Sequence, residues 1–202
     1  FTSGATESNN SAIYSLCALS KFRLKKQVII SAIEHKCVIE AAKHWTEVFG
    51  LNLKIVNVDE EGFIDQSQLT AMLRTPTLFC SIIAVNNEIG TIQKLDEISK
   101  IILDAGSLFH SDAAQALKTD LDYNVCDHVD LASFSGHKIG GPQGIGCLYI
   151  SAGSQEQFMP LILGGGQQNG IRSGTLPLPL CIGISQAIED LENFDFKKIR
   201  KI

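Results

Sequence analysis

The sequence is poor in the features that mark secreted, membrane-spanning and nucleic-acid-binding proteins. Its six cysteines include no Cys-x-x-Cys pair and lie mostly inside apolar segments, which is typical of buried reduced thiols and not of a disulfide framework or a structural zinc site. No apolar run approaches the roughly 20 residues of a membrane span. With a formal net charge of -5, the chain has no basic footprint for a phosphate backbone. We therefore expect a soluble protein of a reducing compartment, with no metal, membrane or nucleic acid as partner.

Repeats and low-complexity segments are absent as well, so we expect one globular domain or a large part of one. The 202 residues are 45% hydrophobic and 19% charged, which is enough for a sizeable core. The chain begins without methionine, in what resembles the end of a strand, and residues 195–202 follow a helical pattern. We expect both natural ends to be missing, and the absence of a targeting peptide is then uninformative.

Short β-rich runs alternate with helical patterns along the chain. This alternation predicts an α/β fold with a mainly parallel sheet that helices cover on both faces. Asp65 and Asp96 are placed to cap the third and fourth helices, and the irregular stretch 164–179 has the length of a functional loop. The predicted strands are 28–32, 53–58, 78–85, 108–111, 129–134 and 146–150, and the predicted helices include 9–19, 37–49, 66–73 and one that runs to Asp104.

The unusual polar residues of the chain fall where predicted strands end. Ligands of open parallel sheets bind beyond the carboxyl ends of the strands, so these residues are expected to converge on one site. The polar clusters are 3–7, Glu34-His35, 86–88, Asp112 and His137-Lys138.

Lys138 and Asp112 are the two residues that a site for pyridoxal phosphate (PLP) requires at minimum. A lysine supplies the Schiff base, and an aspartate from a neighbouring strand end keeps the pyridine nitrogen protonated. The glycine-rich run 140–146 fits neither the Walker pattern nor G-x-G-x-x-G, and we interpret it as a turn that lets the backbone pass close to the cofactor. Each residue also has a structural alternative: a solvated surface position for Lys138, and a capping box with Gln115 for Asp112.

The remaining candidates have two interpretations each. Gly4-Ala5-Thr6 would present backbone N–H groups and a positive helix end to a phosphate, or would form an ordinary helix cap. His35 is either an imidazole that stacks on a flat ring and moves protons near neutral pH, or a helix-start histidine. Gln115 and Asn87 are hydrogen-bond donors to cofactor or substrate, or surface amides.

Taken together, these motifs resemble the cysteine desulfurases, which are PLP enzymes of fold type I that take sulfur from L-cysteine for iron–sulfur cluster assembly. The resemblance covers Phe1 to about Ile188 and is greatest to the housekeeping bacterial and mitochondrial branch. It is carried, in order, by FTSGATESNN (1–10), EHK (34–36), VNNEIG (85–90), HSDAAQ (110–115), SFSGHK (133–138) and RSGTLP (172–177).

The resemblance implies a role for each candidate. Lys138 would carry the Schiff base, Asp112 would pair with the pyridinium nitrogen and Gln115 would bond the phenolate oxygen. His35 would stack on the ring and shuttle protons, and Asn87 would lie beside the substrate. The phosphate would be held by the backbone of Ala5 and by Thr6, Ser135 and His137.

The resemblance also implies an assembly and a place in the cell. Thr175 would reach the phosphate of a neighbouring subunit, which predicts a homodimer and accounts for the long loop. Residues 1–188 would form the PLP-binding large domain, incomplete at its N-terminus, and 189–202 would start the helix leading to a missing small domain. The full-length protein would serve an iron–sulfur scaffold protein in the bacterial cytoplasm or mitochondrial matrix.

The chain departs from the family at several positions. The family's persulfide cysteine and substrate-binding arginine lie downstream of the last residue, and neither Cys147 nor Cys181 matches that nucleophile. Gly140 and Gln143 stand where the family usually has tyrosine and lysine, and Gln168-Asn169 where it usually has glutamate and arginine. Two alternatives therefore stay open: another class V aminotransferase or selenocysteine lyase, and a catalytically incomplete remnant that serves as a subunit-pairing or scaffold module.

Overall fold

A six-stranded sheet lies at the centre of the fold. The structure, a computed structural model, describes residues 1–118 and 124–192. The strands are β1 (Gln27–Ser31), β2 (Asn52–Val56), β3 (Thr77–Ser81), β4 (Leu108–Asp112), β5 (Leu131–Ser135) and β6 (Gly146–Ile150). Their order is β2-β1-β3-β4-β5-β6; β1 to β5 are parallel, and β6 pairs antiparallel with β5. The predicted α/β class with a mainly parallel sheet is confirmed.

Helices follow the predicted order with shifted ends. They are α1 (Ala5–Ala18), α2 (Lys36–Val48), α3 (Gln66–Met72), α4 (Leu95–Asp104), α5 (Ala152–Gln155) and α6 (Leu178–Glu192). The first begins at Ala5 and not at residue 9, because its first turns bury small polar side chains such as Ser8, which hydrophobic periodicity does not register. Residues 193–202 of the predicted domain-linking helix lie outside the described residues.

One predicted cap is confirmed and the other is wrong. The Asp65 carboxylate accepts a hydrogen bond from the Gln68 N–H at 2.9 Å and so caps α3. Asp96 does not cap α4, since Lys94 holds the cap position and Asp96 lies in the first turn. Leu95 is fully buried, so the helix begins one residue before the aspartate. In the first turn, the Asp96 carboxylate still interacts favourably with the helix dipole.

Helices cover both faces of the sheet, as predicted. Successive strand residues point to opposite faces. On one face, Val28 and Ile30 pack with α1 and α2, and on the other, Ile29 packs with α3 and α4. In the part of the chain that the structure describes, no helix is both long and apolar enough to cross a membrane.

The parallel arrangement brings the carboxyl ends of β1, β3, β4 and β5 to one edge of the sheet. Because β6 runs in the opposite direction, its first residue, Gly146, lies at that same edge beside Ser135. Thr2 pairs with Gly146 through two backbone hydrogen bonds of 2.9 Å. This pairing places the start of α1 against the carboxyl edge.

Candidate active site

Most of the predicted site residues line one cavity at the carboxyl edge of the sheet. Its volume is about 510 Å³. Thr175, the one exception, lines an adjoining smaller cavity with Phe1, Ser3 and Arg172. The predicted residues that line the main cavity are Ala5, Thr6, His35, Asn87, Asp112, Gln115, Ser135, His137 and Lys138.

Asp112, the last residue of β4, is the buried carboxylate of the cavity, with 3% of its surface exposed. Its Oδ2 accepts a hydrogen bond from Asn9 Nδ2 at 2.7 Å, and its Oδ1 accepts one from the Ala114 N–H at 3.0 Å. The carboxylate therefore caps a tight turn and does not form the capping box with Gln115. Burial raises its pKa, although the bonds from Ala114 and Asn9 oppose that rise.

Lys138 stands on the short 3₁₀ turn Gly136–Ile139 that directly follows β5. It is half-buried, and its amine has no hydrogen-bond or ion-pair partner within residues 1–118 and 124–192. Gly140 ends the turn at φ 85°, a left-handed conformation that favours glycine. Gly140 is one of the positions where the resemblance leads us to expect a different residue, and here it ends the turn that carries the lysine.

The N-terminus of α1 forms the polar end of the cavity. The first backbone N–H groups of any α-helix lack intrahelical partners. Gly4, at the N-cap, has no side chain that could accept hydrogen bonds from them. Ser135 Oγ and His137 Nδ1, 2.9 Å apart, also line this cavity. Amide donors, a positive helix end and these side chains form a site suited to an anion.

Glu7 also lines the cavity, but its charge is compensated. The carboxylate accepts hydrogen bonds from Arg172 Nε at 2.8 Å and Nη2 at 3.2 Å, and from the Ser3 N–H at 3.0 Å. Burial alone would raise the pKa of Glu7, yet the bonds from Arg172 and Ser3 lower it. The pair ties the long loop to the first turn of α1, an attachment that sequence reasoning missed.

Glu34 is a second buried carboxyl group, one residue before His35. Its Oε1 accepts hydrogen bonds of 2.6 Å from Ser31 Oγ and from the Ile83 N–H, while Oε2 has no partner among the described residues. Burial raises its pKa to about 8, and the nearby charge of Asp112 adds to that rise. Glu34 therefore links β1 to the segment after β3, beneath the cavity.

Cys37 is a cavity residue that the sequence did not single out. His35, at the N-cap of α2, accepts a hydrogen bond from the Cys37 N–H at 3.2 Å, and its Nδ1 lies 2.9 Å from Cys37 Sγ. Asn9 Nδ2 donates to the same sulfur at 3.2 Å. Burial raises the pKa of the Cys37 thiol. In the sequence, Cys37 is one of six scattered thiols, and its position two residues after His35 is the one feature that could have identified it.

The structure also describes the other positions at which the resemblance leads us to expect different residues. Gln143 lines the cavity. Gln168 and Asn169 lie in the long loop at φ 52° and 58°, and Gln168 Nε2 donates to the Phe1 carbonyl at 2.9 Å. The loop, predicted as irregular over 164–179, is irregular apart from a 3₁₀ turn at Gln168–Gly170 and the start of α6.

The sequence and fold have relatives in known proteins. Two proteins named cysteine desulfurase IscS, from Rickettsia bellii and Rickettsia prowazekii, are 48% and 47% identical to this chain over 189 and 192 residues. The alignments cover 93% and 94% of this chain but 45% and 46% of the relatives. The chain thus spans about half the length of the curated relatives it matches.

Solved structures share the fold. One described as SspA in complex with cysteine superposes with a TM-score of 0.84 at 40% identity, covering 93% of this chain and 54% of that one. A NifS-like protein gives 0.88 at 37% identity, with coverages of 95% and 52%. The family model described as aminotransferase class-V matches residues 1–202. The chain therefore belongs to the aminotransferase class-V family.

Proposed function

We propose that this chain is the PLP-binding large domain, residues 1–188, of a cysteine desulfurase. Such an enzyme converts L-cysteine to L-alanine and passes the sulfur on as a persulfide. The observation that carries the proposal is the placement of Lys138 and the buried Asp112 in one cavity of about 510 Å³, with a helix N-terminus at its polar end. The IscS relatives and the cysteine-bound SspA structure support the substrate.

The residues present fit PLP. Asp112 is buried and fixed by two hydrogen bonds, so a protonated ring nitrogen beside it would be stabilised and would lower the pKa of the carboxyl group. Ala5 and Thr6 open α1 where a phosphate is favoured, and Arg172 neutralises Glu7 there. When bound, PLP supplies an electron sink for charge that develops on the substrate α-carbon.

Side chains of this protein would bind the cofactor, transfer protons and orient the substrate. The Lys138 amine, which has no partner among the described residues, is free to bind the cofactor aldehyde and to carry a proton. His35 is exposed and lines the cavity, and its imidazole is the group placed to take a proton from a bound substrate and return it. Asn87 and Gln115 would orient substrate and cofactor by hydrogen bonds.

The assembly follows from the same proposal. Thr175 lines a separate cavity of about 200 Å³, and we propose that it contacts the phosphate bound by a second copy in a homodimer. The whole protein would work with an iron–sulfur scaffold protein in the bacterial cytoplasm or the mitochondrial matrix. The persulfide would form on a cysteine outside these 202 residues, since none of the six cysteines here matches the family's nucleophile.

The test is an absorption spectrum of the purified chain after addition of PLP, compared with Lys138→Ala and with the exposed-lysine control Lys43→Ala. We expect a yellow band in the wild type and in Lys43→Ala, no band in Lys138→Ala, and a spectral change when L-cysteine is added. Borohydride reduction should then fix the cofactor on the peptide that contains Lys138.

Two results would contradict the proposal. One is a chain with the circular dichroism of an α/β fold that gives no band, which would favour the scaffold alternative. The other is cofactor fixed at a different lysine. For the whole protein, a keto acid in place of alanine would indicate an aminotransferase.

A further inference from the structure

Three different metal-ligand types meet on the wall of the main cavity. The ligand atoms of His35, Cys37 and Asp112 all lie within 4.8 Å of one another, and His35 Nδ1 and Cys37 Sγ are 2.9 Å apart. We call these residues the His-Cys-Asp cluster. One imidazole nitrogen, one sulfur and one carboxylate oxygen are the donor types that Zn²⁺ takes in proteins, whereas Mg²⁺ and Ca²⁺ take oxygen.

Asn9 holds two residues of the cluster in place by hydrogen bonds. This side chain is fully buried, and its Nδ2 donates both to Asp112 Oδ2 at 2.7 Å and to Cys37 Sγ at 3.2 Å. Its Oδ1 has no hydrogen-bond partner among the described residues. One amide thus holds two of the three ligands side by side, which is the role that outer hydrogen-bond partners have in metal sites.

We propose that the His-Cys-Asp cluster binds Zn²⁺, or a similar thiophilic divalent cation, in the chain that carries no PLP. The cation would bond to the imidazole, the sulfur and one carboxylate oxygen, with a cavity water as fourth ligand. The thiol proton leaves to solvent as the metal–sulfur bond forms, so no oxidant or reductant is needed.

The three ligand atoms, which lie within 4.8 Å of one another, need to move only slightly closer together to bind one cation. Metal–ligand distances of about 2.0–2.3 Å place tetrahedral ligand atoms roughly 3.5 Å apart. The exposed His35 ring and the half-buried Cys37 side chain can supply this movement, while Asp112 stays fixed by Asn9 and Ala114.

Cation and cofactor would exclude each other. His35 and Asp112 are the residues proposed above to stack on the PLP ring and to pair with its nitrogen, and a metal ion bound to both leaves no place for that ring. This part of the inference rests on the proposed function, whereas cation binding by the cluster does not. The expected consequence is that zinc blocks cofactor loading of the free chain.

Cobalt(II) is the probe, because a thiolate bound to Co²⁺ gives a charge-transfer band that can be measured without activity. We expect one equivalent of Co²⁺ to bind the PLP-free chain with this band, and Zn²⁺ to displace it. Cys37→Ser should lose the band, and the control Cys126→Ser, at a half-buried cysteine outside the cavity, should keep it. Asn9→Ala should weaken cobalt binding by about 10–100-fold, with circular dichroism checking that each variant is folded.

The outcomes separate the two proposals. Absence of the band in the wild type, or its survival in Cys37→Ser, would overturn the cation site. A band that PLP does not remove, in a chain that still forms the Lys138-dependent absorption, would overturn the exclusion. A Cys37-dependent cobalt band in a folded chain that forms no such absorption would support the cation site and contradict the proposed function.

Discussion

Gly146→Ala is expected to destabilise the fold by about 3 kcal/mol or more, at the upper end of the cost of overpacking a well-packed site. A Cβ at this position would lie 2.5 Å from the Phe134 carbonyl oxygen and 2.6 Å from Gly4 Cα. Both are backbone atoms, so no side-chain rotation relieves the clash. Urea unfolding followed by circular dichroism measures the loss.

The same substitution should also damage the anion site, because Gly146 pairs with Thr2 and touches the residue that precedes α1. Displacement of Gly4 moves the first-turn N–H groups of Ala5 and Thr6, so PLP binding should weaken even under conditions where the variant is folded. Gly153→Ala is the matched control, since its Cβ would meet nothing within 4 Å. A Gly146→Ala chain within about 0.5 kcal/mol of the wild type, the range of neutral surface changes, would contradict the prediction.

The sequence predicts those site residues that come directly after the end of a strand. Ser135, His137 and Lys138 follow a β-rich run directly, and the next strand is too close in sequence for a parallel crossover, which needs a dozen or more residues. Asp112 follows another run in the same way. In such segments the local pattern fixes both the element and the edge at which the polar residues lie.

The rest depends on packing that no local pattern contains. Cys37 looks like an ordinary buried thiol until α1 packs against α2 and brings Asn9 beside it. Glu34 is buried, and one of its hydrogen-bond donors, the Ile83 N–H, lies 49 residues further along the chain. The fold of a single chain does not assign a role to Thr175, because the role that the resemblance implies for it involves a second copy of the chain.

Glu34→Gln is expected to remove most of the loss of stability that the wild type undergoes between about pH 4.5 and pH 8. In the unfolded chain Glu34 ionises near its ordinary pKa of 4.5, whereas burial raises the folded pKa to about 8. Between these values the folded state holds a proton that the unfolded state has released, so stability falls as pH rises. At about 1.4 kcal/mol for each pKa unit, the fall attributable to Glu34 reaches roughly 5 kcal/mol.

The measurement is the free energy of unfolding of wild type and variant in urea at several pH values, taken as a difference so that other titrating groups cancel. Relative to Glu34→Gln, the wild type should be most stable at the acid end and should lose that advantage towards pH 8. Glu7→Gln is a control of opposite sign: its folded pKa is lowered, so its contribution is constant above about pH 4.5 and is lost only as pH falls further. A Glu34→Gln difference that stays flat from pH 5 to 8 would mean that Glu34 is ionised in the folded state, and a charge-compensating partner for Oε2 would then have to exist.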